Sequence, residues 1–195
     1  IFRTFDALND YRNFETVVKG IKAAGKPFQG CICYTMTEPR MGGDVYNIDY
    51  FVKKAKELES MGADSICIKD MAGLLAPYPA FEMVKRLKAT VDLPIQLHTH
   101  YTSGMGTATC VKAVEAGVDV VDTAISSVAL STSQPPTETL VYILQGGERD
   151  TGLDLRLLSE IAAYFAKVRS EYGKFESGLT GVDVNVLMYQ IPGGM

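Results

Sequence analysis

The only two histidines of this 195-residue chain, His98 and His100, stand two positions apart at the end of an apolar run. In an extended strand, residues at i and i+2 project from the same face, so both imidazoles would lie on one side of a sheet. Two adjacent imidazoles are costly to bury on an inward face unless a cation binds their nitrogen lone pairs. The pair is therefore a candidate divalent metal site, although taken alone it favours a purely structural pair of histidines.

A second candidate, Lys69 with Asp70, ends the apolar run that precedes the histidine run. Neighbouring parallel strands lie about 4.8 Å apart, so Lys69 and the histidines could touch. A lysine at the end of an apolar run is normally paired or deprotonated. Three outcomes are open: a salt bridge to Asp70, which the local sequence favours, a Schiff-base nucleophile, or carbamylation by CO2 to give an anionic metal ligand.

Five short, β-rich apolar runs must position these residues, and they predict five strands at residues 1–5, 30–35, 64–69, 95–100 and 118–124. Polar residues stand at the carboxyl end of each run: Asp6, Thr35, Lys69 with Asp70, His98 with His100, and Asp122 with Ser126. Asp6 has two open interpretations, either lining the same site or capping the next helix through Asn9 and Asp10.

Stretches with apolar residues at helical spacing separate the runs, and Gly25, Gly62 and Gly117 fall just before the next strand, where a left-handed helix cap is expected. Alternating strand and helix predicts an α/β fold with a parallel sheet. A doubly wound nucleotide-binding fold would need a glycine-rich phosphate loop, which the sequence lacks. Polar residues at the carboxyl ends of strands are typical of a (β/α)8 barrel.

A complete barrel needs about 250 residues, so we expect a fragment with about five of its eight strands. The barrel core is expected over residues 1–145, and a C-terminal helical extension over residues 146–195. In such a fragment, four apolar strand residues are expected to lose partners on the barrel interior: Ile66, Ile68, Leu97 and Val120. The N-terminal residues show neither a signal peptide nor an initiator Met, which also suggests a piece of a longer protein.

Composition narrows the class of protein further. With 47% hydrophobic and 22% charged residues, the chain can bury a core. A net charge of −4 with scattered basic residues argues against a nucleic-acid partner, and no apolar stretch reaches the roughly 20 residues that span a bilayer. Four cysteines lie in apolar runs without C-x-x-C spacing, which predicts reduced core residues and a cytoplasmic protein.

Several segments carry a family resemblance: FRTFDALND at 2–10, IKDMAGLL at 68–75, LHTHYTSG at 97–104, VDTAISS at 121–127, TSQP at 132–135 and IPGG at 191–194. In this order and spacing they resemble the carboxyltransferase domain of biotin-dependent pyruvate carboxylase. The resemblance extends to the form in which this domain is a separate B subunit, and to the α chain of oxaloacetate decarboxylase. It runs from the first residue to the last.

The resemblance implies a (β/α)8 barrel whose fourth to eighth strands are present. It implies that Lys69 is carbamylated and binds a divalent metal (Zn2+, Mn2+ or Co2+), with His98 and His100 as imidazole ligands; these three are the candidate catalytic residues. The implied reaction moves a carboxyl group between biotin on a separate carrier domain and pyruvate or oxaloacetate, through enolpyruvate. An aspartate ligand, the substrate-binding residues and a proton-shuttling threonine are implied to lie outside this sequence, so the isolated chain is expected to be inactive.

Two other functions stay open at this point: a metal-dependent aldolase or acyl-CoA Claisen condensing enzyme of the barrel superfamily, and a non-catalytic scaffold subunit. The segment KDMAG at 69–73 favours the carboxyltransferase. The partners then expected are the keto acid and the biotin carrier, with self-association into a homo-oligomer. Membrane decarboxylase subunits would be reached only through other subunits.

Overall fold

The computed structural model describes residues 1–176 and 181–189. Within them, five parallel strands form one sheet and lie side by side in chain order. The strands are β1 (Phe2–Thr4), β2 (Phe28–Cys33), β3 (Ser65–Asp70), β4 (Ile95–Thr99) and β5 (Val120–Val121). All five predicted strands are present, although β5 is much shorter than its apolar run.

Helices connect and follow the strands. They are α1 (Glu15–Ala23), α2 (Ile48–Ser60), α3 (Pro77–Lys88), α4 (Gly106–Glu115), α5 (Thr137–Leu144) and α6 (Leu155–Glu171). The predicted caps Gly25, Gly62 and Gly117 adopt φ values of 62°, 82° and 93°, a region that glycine enters without a steric penalty. They end α1, α2 and α4 and turn the chain toward the next strand.

The main core lies between the sheet and these helices, and this corrects one expectation. Ile66, Ile68 and Leu97 are fully buried in that core, so the prediction that they face an open barrel interior was wrong. Side chains alternate along a strand, and because Lys69 faces away from the helices, Ile68 must face them. Of the four residues, only Val120 fits the prediction, with 46% of its surface exposed. The side of the sheet away from the helices is hereafter the inward face.

Two aspartates stabilise the amino-terminal end of the sheet in the same way. Asp64, just before β3, accepts hydrogen bonds from the backbone N–H of Phe28 at 2.7 Å and from Lys22 Nζ at 2.8 Å. Asp119, just before β5, accepts from the backbone N–H of Ile95 at 2.7 Å and from Lys88 Nζ at 2.8 Å. Each carboxylate thus ties the start of one strand to the end of a helix.

The C-terminal segment, where a helical extension was predicted, contains α6. It contacts α5 and the turn at residues 126–128, where Arg169 Nη1 donates to the carbonyl oxygen of Ser127 at 2.8 Å. The four cysteines are free and buried, as predicted. Among the residues described, no helix has the length and apolar character needed to cross a membrane.

Candidate active site at the carboxyl ends of the strands

The two histidines end β4 and share the inward face, as the sequence predicts. Their ring centroids lie 5.0 Å apart with the planes at 75°, and the two Nε2 atoms approach to 3.1 Å. The alternation of β4 produces this arrangement, because Leu97 and Thr99 on the same strand are fully buried on the helix side.

Hydrogen bonds define which nitrogen of each ring carries a proton. His100 Nδ1 lies 2.6 Å from the carbonyl oxygen of Thr132, and His98 Nδ1 lies 2.7 Å from Oδ2 of Asp122. Both oxygens can only accept, so each Nδ1 donates a hydrogen. In the neutral rings, both Nε2 lone pairs therefore point at each other. Burial lowers the pKa of His100, which favours its neutral form.

Two nitrogen lone pairs in contact repel each other unless a proton or a metal cation lies between them. Zinc binds histidine nitrogen at about 2.0–2.1 Å, so two nitrogens on one tetrahedral ion are about 3.3 Å apart. The observed 3.1 Å is close to this separation, and the histidine pair fits a divalent metal. In the part of the chain that the structure describes, no third Cys, His, Asp or Glu completes a metal-binding group.

Lys69 lies beside the histidines, on the strand next to theirs. The register of β3 and β4 pairs Lys69 with His98 directly. Its Nζ is 4.6 Å from the ring centroid of Phe5, so the ammonium lies over an aromatic face. No ion pair joins Lys69 to Asp70 among the described residues, and the predicted salt bridge was wrong.

Asp70 fails to pair with Lys69 because consecutive strand residues point to opposite faces. Its carboxylate is fully buried and accepts from the backbone N–H groups of Leu74 and Leu75, at 2.8 and 3.0 Å, and from Thr99 Oγ1 at 2.7 Å. Burial raises the pKa of Asp70 despite these three bonds. Asp70 therefore connects the loop after β3 to the strand that carries the histidines.

Thr35 has a buried hydroxyl without a partner. The residue is 5% exposed, and its Oγ1 has no hydrogen-bond partner within residues 1–176 and 181–189. Cys33 pairs with Lys69 in the β2–β3 register, and the N–H of Tyr34 donates to the Lys69 carbonyl at 2.8 Å. Thr35 is the next residue along the chain, just beyond the end of β2. A buried hydroxyl left unpaired costs about 1–3 kcal/mol, so this position fits a polar group of a ligand or of a modified Lys69.

Asp6 caps the turn after β1 and not the next helical turn, residues 11–14, which is capped by Asp10. Its Oδ1 accepts from the backbone N–H groups of Leu8 and Asp10, at 2.9 and 3.0 Å, and its Oδ2 accepts from Asn13 Nδ2 at 2.8 Å. These bonds lower the pKa of the Asp6 carboxyl, with the bond from Asp10 making the largest contribution. Asp6 therefore shapes the chain leading into α1.

Sequence reasoning missed a polar network below the histidines on the inward face. Arg3 Nη1 donates to Asp122 Oδ2 at 2.6 Å, and Arg3 Nε donates to Gln29 Oε1 at 2.6 Å. Gln29 Nε2 donates to Gln96 Oε1 at 2.9 Å, and Gln96 Nε2 donates to Asp122 Oδ1. The available signal was Gln29 and Gln96, each a polar residue between two buried residues of a strand.

Comparison with known proteins identifies the group to which this fold and site belong. A sequence model of the HMGL-like family matches residues 8–164. The chain belongs to the HMGL-like family. The B subunit of pyruvate carboxylase from Methanocaldococcus jannaschii is 56% identical over the whole chain, which covers 34% of that protein. This HMGL-like chain therefore spans about a third of the length of that relative.

Solved structures similar to the HMGL-like chain come from the carboxyl transferase domain of Rhizobium etli pyruvate carboxylase. One matches with a TM-score of 0.95 and 42% identity, covering all of this chain and 33% of that one. Another, with pyruvate and biocytin, matches with a TM-score of 0.91 and 41% identity over the same shares. These matches confirm the family resemblance and the predicted fold class, part of a (β/α)8 barrel. The IPGG segment at 191–194 lies outside the described residues.

Proposed function

We propose that this chain builds part of the active site of a biotin-dependent carboxyltransferase, in which a carboxyl group moves between carboxybiotin and pyruvate, with oxaloacetate on the other side of the equilibrium. The observation that carries the proposal is the pair of Nε2 atoms at 3.1 Å, in a chain similar throughout to a carboxyl transferase domain solved with pyruvate and biocytin. Similarity over the whole chain does not favour an aldolase or a Claisen condensing enzyme.

The proposed metal ligands are His98, His100 and a carbamate on Lys69. When bound, a divalent ion (Zn2+, Mn2+ or Co2+) supplies Lewis acidity that stabilises negative charge on the keto oxygen as enolpyruvate forms. The hydrogen bonds from His98 to Asp122 and from His100 to Thr132 orient both rings. The unpaired Thr35 hydroxyl supports an anionic group on Lys69, because a carbamate oxygen would accept its hydrogen.

Arg3 has a supporting part in this proposal, because the residues that bind the keto acid are expected to lie outside this sequence. Its guanidinium lies on the inward face and shares Asp122 Oδ2 with His98 Nδ1, the nitrogen opposite the proposed metal-binding Nε2. Bonds from Arg3 to Asp122 and Gln29 would hold the Asp122 carboxylate in place beneath the histidines.

The remaining components of the proposal lie outside the described site. Biotin would arrive on a separate carrier domain or subunit, and the parent protein would be a cytoplasmic homo-oligomer that reaches any membrane decarboxylase subunit only through partners. The four free, buried cysteines support a reducing compartment. Residues 1–145 would contribute the barrel core, and residues 146–195 a helical extension.

The test uses the full-length parent protein. We expect biotin-stimulated decarboxylation of oxaloacetate, loss of that activity after metal removal by a chelator, and recovery on adding Zn2+, Mn2+ or Co2+. Aldol cleavage and acyl-CoA condensation serve as control reactions, and neither is expected. Metal-loaded parent protein without biotin-dependent turnover would contradict the carboxyltransferase. Protein that retains no stoichiometric metal would favour the scaffold subunit instead.

A further inference from the structure

Asp122 connects residues of two strands that are not neighbours in the sheet, Arg3 on β1 and Gln96 with His98 on β4. It follows β5, and its Oδ2 accepts from His98 Nδ1 at 2.7 Å and from Arg3 Nη1 at 2.6 Å, while its Oδ1 accepts from Gln96. The Asp122 side chain is 23% exposed and that of His98 is 15% exposed, so both are largely shielded from water. Charge-assisted hydrogen bonds in such surroundings are stronger than at a protein surface.

The bond to Asp122 determines what His98 can do on its opposite side. A carboxylate accepts but does not donate, so His98 must keep its hydrogen on Nδ1 and leave Nε2 as the coordinating atom. Without this acceptor, the ring is free to adopt the other tautomer or to rotate away from His100. A carboxylate that orients a metal-binding histidine usually contributes about 10–100-fold to metal affinity.

We propose that Asp122 is the positioning residue that keeps His98 Nε2 directed at His100, with its own carboxylate held by Arg3 and Gln96. The inference rests on the proposed function, because it assigns Asp122 a role toward the proposed metal. Asp122 does not contact the metal in this assignment. It acts on metal binding through His98.

The test measures Co2+ binding to the full-length parent in bicarbonate buffer, by competition with a chelator and by the visible absorption of the bound ion. Asp122→Asn is expected to weaken Co2+ binding about 10–100-fold. The matched control is Asp119→Asn, three residues earlier in the chain, which removes a carboxylate that bonds to Ile95 and Lys88 and not to the site. The control is expected to bind Co2+ as the wild type does.

A double-mutant cycle separates positioning from a general structural role. If Asp122 acts through His98, adding Asp122→Asn to a His98→Ala variant should change Co2+ affinity less than about twofold. Two results would overturn this inference without affecting the proposed function. One is an equal loss of Co2+ affinity when Asp122→Asn is made in the wild type and in His98→Ala, and the other is wild-type Co2+ affinity in Asp122→Asn. Wild-type parent that binds no Co2+ would overturn the proposed function and the inference together.

Discussion

Arg3 on β1 and Asp122 directly after β5 form an ion pair at 2.6 Å, although β1 and β5 are the two outermost strands of the sheet. Such a contact requires the five strands to curve, so that side chains from both edges meet over the inward face. The pair also brings a cation and an anion from opposite ends of the barrel segment to the same point, next to His98. The curvature of the sheet therefore brings the residues of the site together.

Loss of either histidine should weaken metal binding. His98→Ala and His100→Ala in the full-length parent are expected to lower metal affinity at least about tenfold, because each removes one of two converging Nε2 donors. Both rings are partly exposed at the end of β4, so the fold should change little. Metal analysis with circular dichroism checks both expectations. Normal metal content in both variants would remove these residues from the site.

If Lys69 carries a carbamate, a positively charged side chain at this position is not sufficient for carboxyl transfer. Lys69→Arg should reduce carboxyl transfer as strongly as Lys69→Ala, because a guanidinium keeps the positive charge but does not form the carbamate. Turnover with oxaloacetate, together with a 13C signal from labelled CO2 on the wild-type parent, provides the measurement. Normal turnover of the arginine variant would show that the carbamate is not needed.

Asp64 predicts a pH-dependent contribution to stability. The bond from Lys22, followed by that from the N–H of Phe28, lowers the pKa of Asp64 below its ordinary value. A lowered folded-state pKa contributes stability above the unfolded value of about 3.9, and this is lost as the pH falls through the folded value. Asp64→Asn should lower Tm by about 2–4 °C at pH 7. The difference in Tm between Asp64→Asn and the wild type should shrink below about pH 4. A Tm difference that stays constant with pH would contradict a stabilising role of the Asp64 carboxylate.

The 195-residue chain alone should not catalyse the reaction. Large apolar side chains are exposed on both edge strands, including Phe2 at 53%, Phe5 at 48% and Val120 at 46%. We expect such surfaces to drive self-association or aggregation when the chain is produced by itself. Size-exclusion chromatography and biotin-stimulated decarboxylation of oxaloacetate test this. A monomeric chain with substantial turnover would contradict it.

Local patterns predicted much of the fold and half of the site. Short β-rich apolar runs located the strands, helical spacing located α6, and the alternation of side chains along a strand placed both histidines on one face. The same rule, not applied to Lys69 and Asp70, would have excluded their salt bridge. The contact of Arg3 with Asp122 was beyond local reasoning, because 119 positions separate them and only the curvature of the sheet brings them together.

The carboxylates of Asp64 and Asp119 bond to the first N–H groups of β2 and β4, whereas the histidines end β4 at the opposite edge of the sheet. The aspartates that stabilise the strand starts and the proposed metal-binding histidines are thus separated by the length of a strand. Loops at the histidine end could be exchanged to accept a different carboxyl acceptor without loosening the strand starts. Protein engineering for a different specificity should therefore change the loops at the carboxyl ends of the strands and retain Asp64 and Asp119.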